Sequence, residues 1–177
     1  MTVKGAQSAT HTGSARAVEV DVQYAIESAG LPAEHQFDQW AGRALECARN
    51  ENWVNFDLSS ISLCIRLVGG EEGLALNQTY RGQDKPTNVL SFSLDGRLAQ
   101  LDLGSARPIG DLVLCAPVVE QEASAQAKRL DDHYAHLVVH GVLHLLGFDH
   151  EEEVAAQDME CKEVAVLRQL GIANPYE

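Results

Sequence analysis

The stretch D-D-H-Y-A-H-L-V-V-H-G-V-L-H-L-L-G-F-D-H, residues 131–150, decides how this chain folds. Its apolar residues occupy every side of a helix, which is typical of a helix buried inside a domain rather than lying on its surface. Asp131 and Asp132 are helix start signals, and Gly147 is a stop signal because glycine readily adopts the left-handed turn that ends helices. The pattern predicts a buried central helix that ends at Gly147.

Three histidines in this stretch, His140, His144 and His150, are spaced i, i+4 and i+10. Residues four apart share one helix face, so His140 and His144 can direct their imidazoles to one point. The turn at Gly147 swings the chain back and lets His150 supply a third nitrogen. Three imidazoles leave a tetrahedral zinc ion one open position, as in catalytic sites. We therefore predict one zinc ion per chain, with nickel, cobalt or iron as alternatives.

The residue between the first two histidines argues against a peptidase. Zinc peptidases with H-E-x-x-H-x-x-G-x-x-H share this ligand spacing but place a glutamate general base where this chain has Gly141. A peptidase would need its base from Asp149 or Glu151. Asp149 could instead hold a ligand histidine or a water, or be an ordinary surface residue. We interpret His136, one turn before His140, as a core or supporting histidine rather than a fourth ligand.

Composition and charge exclude several classes of protein. The 177 residues include 26 acidic and 13 basic side chains, a net charge of −13, which excludes a protein that coats nucleic acid non-specifically. Ten of the acidic and two of the basic side chains fall in residues 131–177. The four cysteines form no C-x-x-C pair, so we expect buried free thiols. With neither a signal peptide nor a long uncharged apolar span, we expect a soluble, cytoplasmic protein without a membrane partner.

Hydrophobic periodicity predicts the order βαβαββααα, in which strands and helices do not alternate regularly. This order favours a single α+β domain with a small mixed sheet of about four strands, the buried central helix and flanking helices. We expect residues 1–16 to be a disordered tail, residues 17–177 to be the functional domain and residues 95–108 to be a surface loop. The predicted strands are 18–24, 61–68, 89–94 and 109–115, and the predicted helices are 37–48, 71–80, 117–130, 131–147 and 151–170.

A second motif, T-Y-R-G-Q-D-K-P-T-N-V-L-S-F at residues 79–92, places Arg81 and Lys85 around a glycine-containing loop. Arginine suits bidentate binding of a phosphate, and both cations could offset the charge that develops at a phosphodiester. A solvated surface pair is the alternative for two such cations. Tyr80 and Phe92 are the nearest aromatic residues that could stack on a base, although we expect Phe92 to pack in the core.

Taken together, Y-R-G-Q-D-K-P-T-N-V-L-S-F, G-D-L-V-L-C at residues 110–115 and H-G-V-L-H-L-L-G-F-D-H make the chain resemble the YbeY family of bacterial metal-dependent endoribonucleases, the rRNA maturation factors. The three motifs occur in the family's order, and the likeness runs from about Val18 to the C-terminus. Two features depart from the family. Ser93 stands where a proline commonly follows L-S-F, and the segment before Val18 has no family counterpart.

The resemblance implies a zinc ion held by His140, His144 and His150, and a functionally important arginine at Arg81. It implies single-strand-specific RNA cleavage in 16S rRNA 3′ end maturation, ribosome biogenesis and ribosome quality control. We expect Arg81 to be catalytic and, with Lys85, to bind the RNA. The implied partners are rRNA, the small ribosomal subunit and its assembly proteins, and DNA is not expected. Two alternatives stay open: a zinc peptidase, and a non-catalytic ribosome-assembly factor whose metal is structural.

Overall fold

The computed structural model describes residues 18–94 and 106–177. The order of elements in these ranges is the predicted βαβαββααα. The expected tail at residues 1–16, and residues 95–105 of the expected surface loop, lie outside the described residues. The elements are β1 (Val18–Tyr24), α1 (Glu34–Asn50), β2 (Ile61–Val68), α2 (Gly70–Arg81), β3 (Val89–Ser93), β4 (Arg107–Cys115), α3 (Ala116–Ala125), α4 (Leu130–Leu145) and α5 (Glu153–Gln169).

The four strands form one mixed sheet, as the sequence predicts. The spatial order is β1-β2-β4-β3, with β1, β2 and β4 mutually parallel and β3 antiparallel to β4 at one edge. β3 and β4 follow one another in the chain without a helix between them, and they pair antiparallel. This pairing places β3 at the edge of the sheet, beside α4. The fold is thus the predicted α+β domain.

Helix α4 forms the centre of the main core. Alternate residues of β2, namely Leu63, Ile65 and Leu67, are buried in the core cluster that also holds the apolar residues of α1, α4 and α5. The other face of the sheet has a smaller cluster that includes Leu90 of β3, and Leu76 of α2 packs against this cluster. Each fully buried aliphatic side chain stabilises the fold by roughly 1.5–3 kcal/mol. No helix in the described ranges is long and apolar enough to cross a membrane.

Several predicted boundaries shift by a few residues, and two of the shifts have a local cause. Helix α3 ends at Ala125 rather than near Leu130, because Ala127 adopts a left-handed φ of 52° and the Lys128 amide bonds back to the Ala123 carbonyl. The sequence has no glycine or proline at that turn, and the apolar pattern continues through it. The predicted helix is therefore too long. Strand β4 begins at Arg107, before the predicted start at Ile109. The residue after Arg107 is Pro108, and a proline is tolerated near the start of a strand.

The cysteines are all free, as expected, but they are not all buried. Cys47 and Cys115 lie in the interior, Cys64 is partly covered on the sheet, and Cys161 is exposed on α5. Helix α5 buries one stripe of residues, which includes Met159 and Val166. Cys161 is close to these residues in sequence but lies outside the buried stripe.

Gly141 marks a close approach of α4 to the sheet. A Cβ atom at this position would lie 2.7 Å from Cδ2 and 3.0 Å from Cδ1 of Leu112 on β4, a residue with no exposed surface. Such contacts are shorter than van der Waals separation, and the tightly packed core gives Leu112 little room to move. The missing side chain at Gly141 therefore lets the central helix pack against the sheet.

We predict that Gly141→Ala destabilises the protein, whereas the matched change Gly42→Ala on α1 stabilises it. Alanine is preferred over glycine in a helix by about 1 kcal/mol, and a Cβ at Gly42 meets nothing within 4 Å. At Gly141 the overpacking costs about 1–3 kcal/mol and outweighs that gain. Urea denaturation of both variants measures the free energy of unfolding. Equal stabilisation by the two substitutions would contradict the close packing.

Candidate metal centre

The three predicted histidines meet at one point. His140 and His144 lie on successive turns at the end of α4, and His150 lies in the loop before α5. Each offers a ring nitrogen, and these three atoms all lie within 4.8 Å of one another. The two Nε2 atoms of His140 and His144 are 3.1 Å apart. His140 and His144 are partly buried while His150 is exposed, so the cluster opens to solvent on one side.

The turn after α4 brings His150 back to the helix. Gly147 has a left-handed φ of 96°, and the Phe148 amide donates a 3.0 Å hydrogen bond to the Leu143 carbonyl. Asp149 Oδ1 accepts hydrogen bonds from the backbone amide of His150 at 2.6 Å and from the next amide at 3.2 Å. Asp149 therefore shapes the loop that carries the third histidine, by bonding the backbone rather than an imidazole ring.

Hydrogen bonds determine which nitrogen of each helical histidine faces the cluster. His140 Nδ1 lies 2.8 Å from Glu163 Oε1, and His144 Nδ1 lies 2.9 Å from the Phe148 carbonyl oxygen. A carboxylate and a carbonyl only accept, so each Nδ1 carries the proton and each Nε2 presents a lone pair.

This arrangement fits a metal ion. Two lone pairs facing each other at 3.1 Å repel unless a cation lies between them. Two nitrogens bound to a tetrahedral zinc at about 2.0–2.1 Å would lie about 3.3 Å apart. Burial, together with His140 and His150 nearby, also lowers the pKa of His144, which favours the neutral imidazole that metals bind. The donor set therefore suits a divalent transition metal.

Behind the histidines, Glu163 of α5 connects several elements. Only 1% of its side chain is exposed. It accepts hydrogen bonds from His140, from His136 Nε2 at 2.9 Å and from the Tyr176 hydroxyl at 2.5 Å. Burial by itself would raise the pKa of Glu163, but these hydrogen bonds outweigh burial and lower the pKa to about 2. An ionised carboxylate thus stands behind His140, in the position that orients metal ligands in many proteins.

His136, expected to be a core or supporting histidine rather than a fourth ligand, bonds Glu163 through its ring and lies outside the three-histidine cluster. Sequence reasoning missed Glu163 and Tyr176. The signal for Glu163 is its position on α5 among Met159, Val166 and Leu167, the residues that form the buried stripe of that helix. A carboxylate in an apolar stripe needs a partner. Tyr176, near the end of the chain, has no comparable local signal.

Arg81 and Lys85 lie at the surface on the second motif. Arg81, expected in the loop, is the last residue of α2, and the left-handed Gly82 (φ 65°) ends the helix. Both cations are exposed, and neither has an ion-pair partner among the residues that the structure describes. The buried Asn77 holds the turn by donating a 2.6 Å hydrogen bond to the Lys85 carbonyl.

A series of contacts relates this turn to the histidines. The Tyr80 ring, next to Arg81, packs against Phe92 of β3 at 4.9 Å between centroids. Ser93 Oγ donates a 3.4 Å hydrogen bond to the backbone carbonyl of His144. Gly110 lets the strands approach here, since a Cβ on it would lie 2.2 Å from the Phe92 carbonyl oxygen. The end of α2 and the histidine end of α4 therefore contact the same end of β3, from opposite faces of the strand.

The fold and the cluster define a class: an α+β domain whose buried helix and following loop bring together three histidines that could hold one metal ion. Comparison with known proteins identifies the family. The sequence matches the family described as Endoribonuclease YbeY over residues 23–171. Relatives named endoribonuclease YbeY include proteins from Stenotrophomonas maltophilia, 48% identical over 90% of this chain and 93% of the relative, and from Alkalilimnicola ehrlichii, 48% identical over 92% and 93%. The chain belongs to the endoribonuclease YbeY family, as its motifs indicate.

A solved structure supports the architecture separately. The solution structure of TM1509 from Thermotoga maritima superposes with a TM-score of 0.53 at 22% identity, covering 90% of this chain and 99% of that one. At this identity the likeness concerns the fold, and it agrees with the α+β prediction.

We predict that Glu163→Gln weakens zinc binding by about 10- to 100-fold, because the neutral amide holds His140 less firmly and offsets none of the metal charge. Titration against a chromophoric chelator measures the affinity, and circular dichroism checks the fold. Glu160→Gln, on the exposed side of the same helix, removes the same charge and should bind zinc like the unchanged protein. Equal affinities for the two variants would show that the buried carboxylate does not support the site.

Proposed function

We propose that this protein is a zinc-dependent, single-strand-specific endoribonuclease, and that residues 17–177 form its catalytic domain. In the cell it would act in the cytoplasm on the 3′ end of 16S rRNA, in ribosome biogenesis and in ribosome quality control. Its partners would be the small ribosomal subunit and assembly proteins. The observation that carries the proposal is the convergence of His140, His144 and His150 in a chain of the endoribonuclease YbeY family.

In this proposal His140, His144 and His150 are the metal ligands, and Glu163 and the Phe148 carbonyl keep the two helical rings in the binding tautomer. A zinc ion held there would supply Lewis-acid polarisation of a phosphate oxygen and activation of a water. The exposed position of His150 leaves one side of the cluster open to the RNA backbone. Glu163 adds a negative charge behind His140, which reduces the net positive charge that the core must accommodate.

Arg81 and Lys85 would provide the positive charge for the phosphate. Cleavage of a phosphodiester places additional negative charge on the phosphate oxygens, and an arginine fork stabilises that charge more in the transition state than in the ground state. Arg81 is free to make this contact, since it has no ion-pair partner in the described ranges. Lys85, on the same turn, would bind a neighbouring phosphate of the backbone.

The alternatives fit the geometry less well. A peptidase general base at position 141 would need a side chain where even a Cβ meets Leu112 at 2.7 Å. Asp149 Oδ1 is already used by two backbone amides. A purely structural zinc would be expected to have four protein ligands, whereas the cluster found among the described residues contains three.

We predict that Arg81→Ala lowers kcat for single-stranded RNA by about 100- to 1,000-fold while zinc content stays at one ion per chain. His144→Ala should lose both zinc and cleavage, because two imidazoles bind zinc weakly. Arg49→Ala, an exposed arginine at the end of α1, is the matched control and should leave both unchanged. Gel analysis of a labelled oligoribonucleotide and elemental analysis of the protein give the two readouts.

Other outcomes would identify a different function. RNA cleavage that neither substitution affects would reject the proposed mechanism. Cleavage of a protein substrate but not of RNA would indicate the peptidase. An unchanged protein that binds small ribosomal subunits and cuts nothing would indicate an assembly factor. The ends of the RNA products reveal the nucleophile, because attack by the 2′-hydroxyl leaves a 2′,3′-cyclic phosphate and attack by water does not.

A further inference from the structure

Tyr80 is unusual among the aromatic side chains of this protein. It is 64% exposed, more than any other phenylalanine, tyrosine or tryptophan in the described ranges. The next most exposed, Tyr176 and Tyr24, both use their hydroxyls, on Glu163 and on the Pro32 carbonyl. An aromatic ring left in water gives up the free energy that its burial would contribute. Its exposure therefore suggests a ligand rather than a packing role.

The Tyr80 ring is exposed but not loose. It contacts Phe92 of β3 in an edge-to-face arrangement, with the centroids 4.9 Å apart and the planes at 71°. Phe92 is itself held in the sheet, paired with Asp111 of β4. An edge-to-face contact occupies at most one face of a ring, so the high exposure of Tyr80 leaves its other face available. The sheet thus orients an aromatic surface toward solvent.

The position of Tyr80 relates that surface to the proposed reaction. Tyr80 directly precedes Arg81 at the end of α2. The residue after its support Phe92 is Ser93, which bonds the backbone of His144. Successive residues of a strand point to opposite faces, so Phe92 and Ser93 make these two contacts on opposite faces of β3. The aromatic face therefore lies beside the cation suited to phosphate, at the end of an edge strand whose other face contacts the helix that carries two of the histidines. These are the groups that a nucleotide needs: a surface for its base, a charge for its phosphate and a metal at the bond to be cut.

We propose that Tyr80 binds one unpaired nucleobase by stacking, next to the phosphate that is cleaved, and so contributes to the preference for single strands. The inference rests on the proposed endoribonuclease function and adds a binding residue to it. Every base has a π face, so stacking on Tyr80 tolerates all four bases. Bases in a duplex have both faces covered by their neighbours and cannot stack on the ring without leaving the helix.

The first test compares three variants of the zinc-loaded protein. Tyr80→Leu keeps an apolar side chain but removes the ring, and should raise KM for single-stranded RNA by about 5- to 150-fold with little change in kcat. Tyr80→Phe keeps the ring and should remain within about twofold of the unchanged protein. Tyr24→Leu makes the same change on β1, at the opposite edge of the sheet, and should have no effect. Thermal unfolding confirms that the variants are folded.

The second test locates the base. Single abasic nucleotides are placed in turn along a single-stranded RNA, and each RNA is titrated with the unchanged protein and with Tyr80→Leu. One position should weaken binding to the unchanged protein and have no further effect on the variant, because the two changes remove the same contact. A 2-aminopurine at that position should be quenched by the unchanged protein and by Tyr80→Phe, but not by Tyr80→Leu.

The outcomes separate this inference from the function on which it rests. If the unchanged protein cleaves RNA and Tyr80→Leu matches it in KM and quenching, the stacking role is wrong while the endoribonuclease stands. Additive effects at every abasic position would also overturn it, as would equal losses in Tyr80→Leu and Tyr24→Leu. An unchanged, zinc-loaded protein that neither binds nor cleaves RNA overturns both proposals.

Discussion

The buried carboxylate of Glu163 is the interaction on which the candidate site depends. Removing a carboxylate from water costs several kcal/mol, and this cost is offset only when hydrogen bonds satisfy its oxygens. Here His136 and His140 come from α4, Tyr176 comes from the end of the chain, and Glu163 itself lies on α5. The same bonds that make the buried charge tolerable join three segments and orient one of the histidines. Stability and site geometry are therefore coupled.

A second constraint is the contact between α4 and β4. Gly141 lets the helix lie against Leu112, and Gly110 lets β3 and Leu145 approach the same strand. These two close approaches bring the end of β3 to the histidine end of α4, and β3 carries the aromatic support of Tyr80. The conformational freedom and small size of glycine thus have a direct effect on where the RNA-binding groups of the proposed enzyme lie.

The distribution of charge limits how such an enzyme would meet its substrate. A net charge of −13 opposes a polyanion, whereas Arg81 and Lys85 offer local positive charge at one exposed turn. An enzyme that contacts few phosphates binds RNA with modest affinity, and salt weakens those few contacts only slightly. The acidic residues on the rest of the protein repel RNA at longer range.

The order of elements, the buried helix and the three histidines follow from local sequence patterns, since helix periodicity and the i, i+4 spacing operate over a few residues. The strand order β1-β2-β4-β3, the turn at Ala127 and the role of Glu163 do not. Glu163 lies 23 residues from His140, and their bond exists only because α5 packs on α4. Sequence by itself determined which residues could bind a metal. Tertiary structure decided which residues hold them in place, because those contacts join segments distant in the chain.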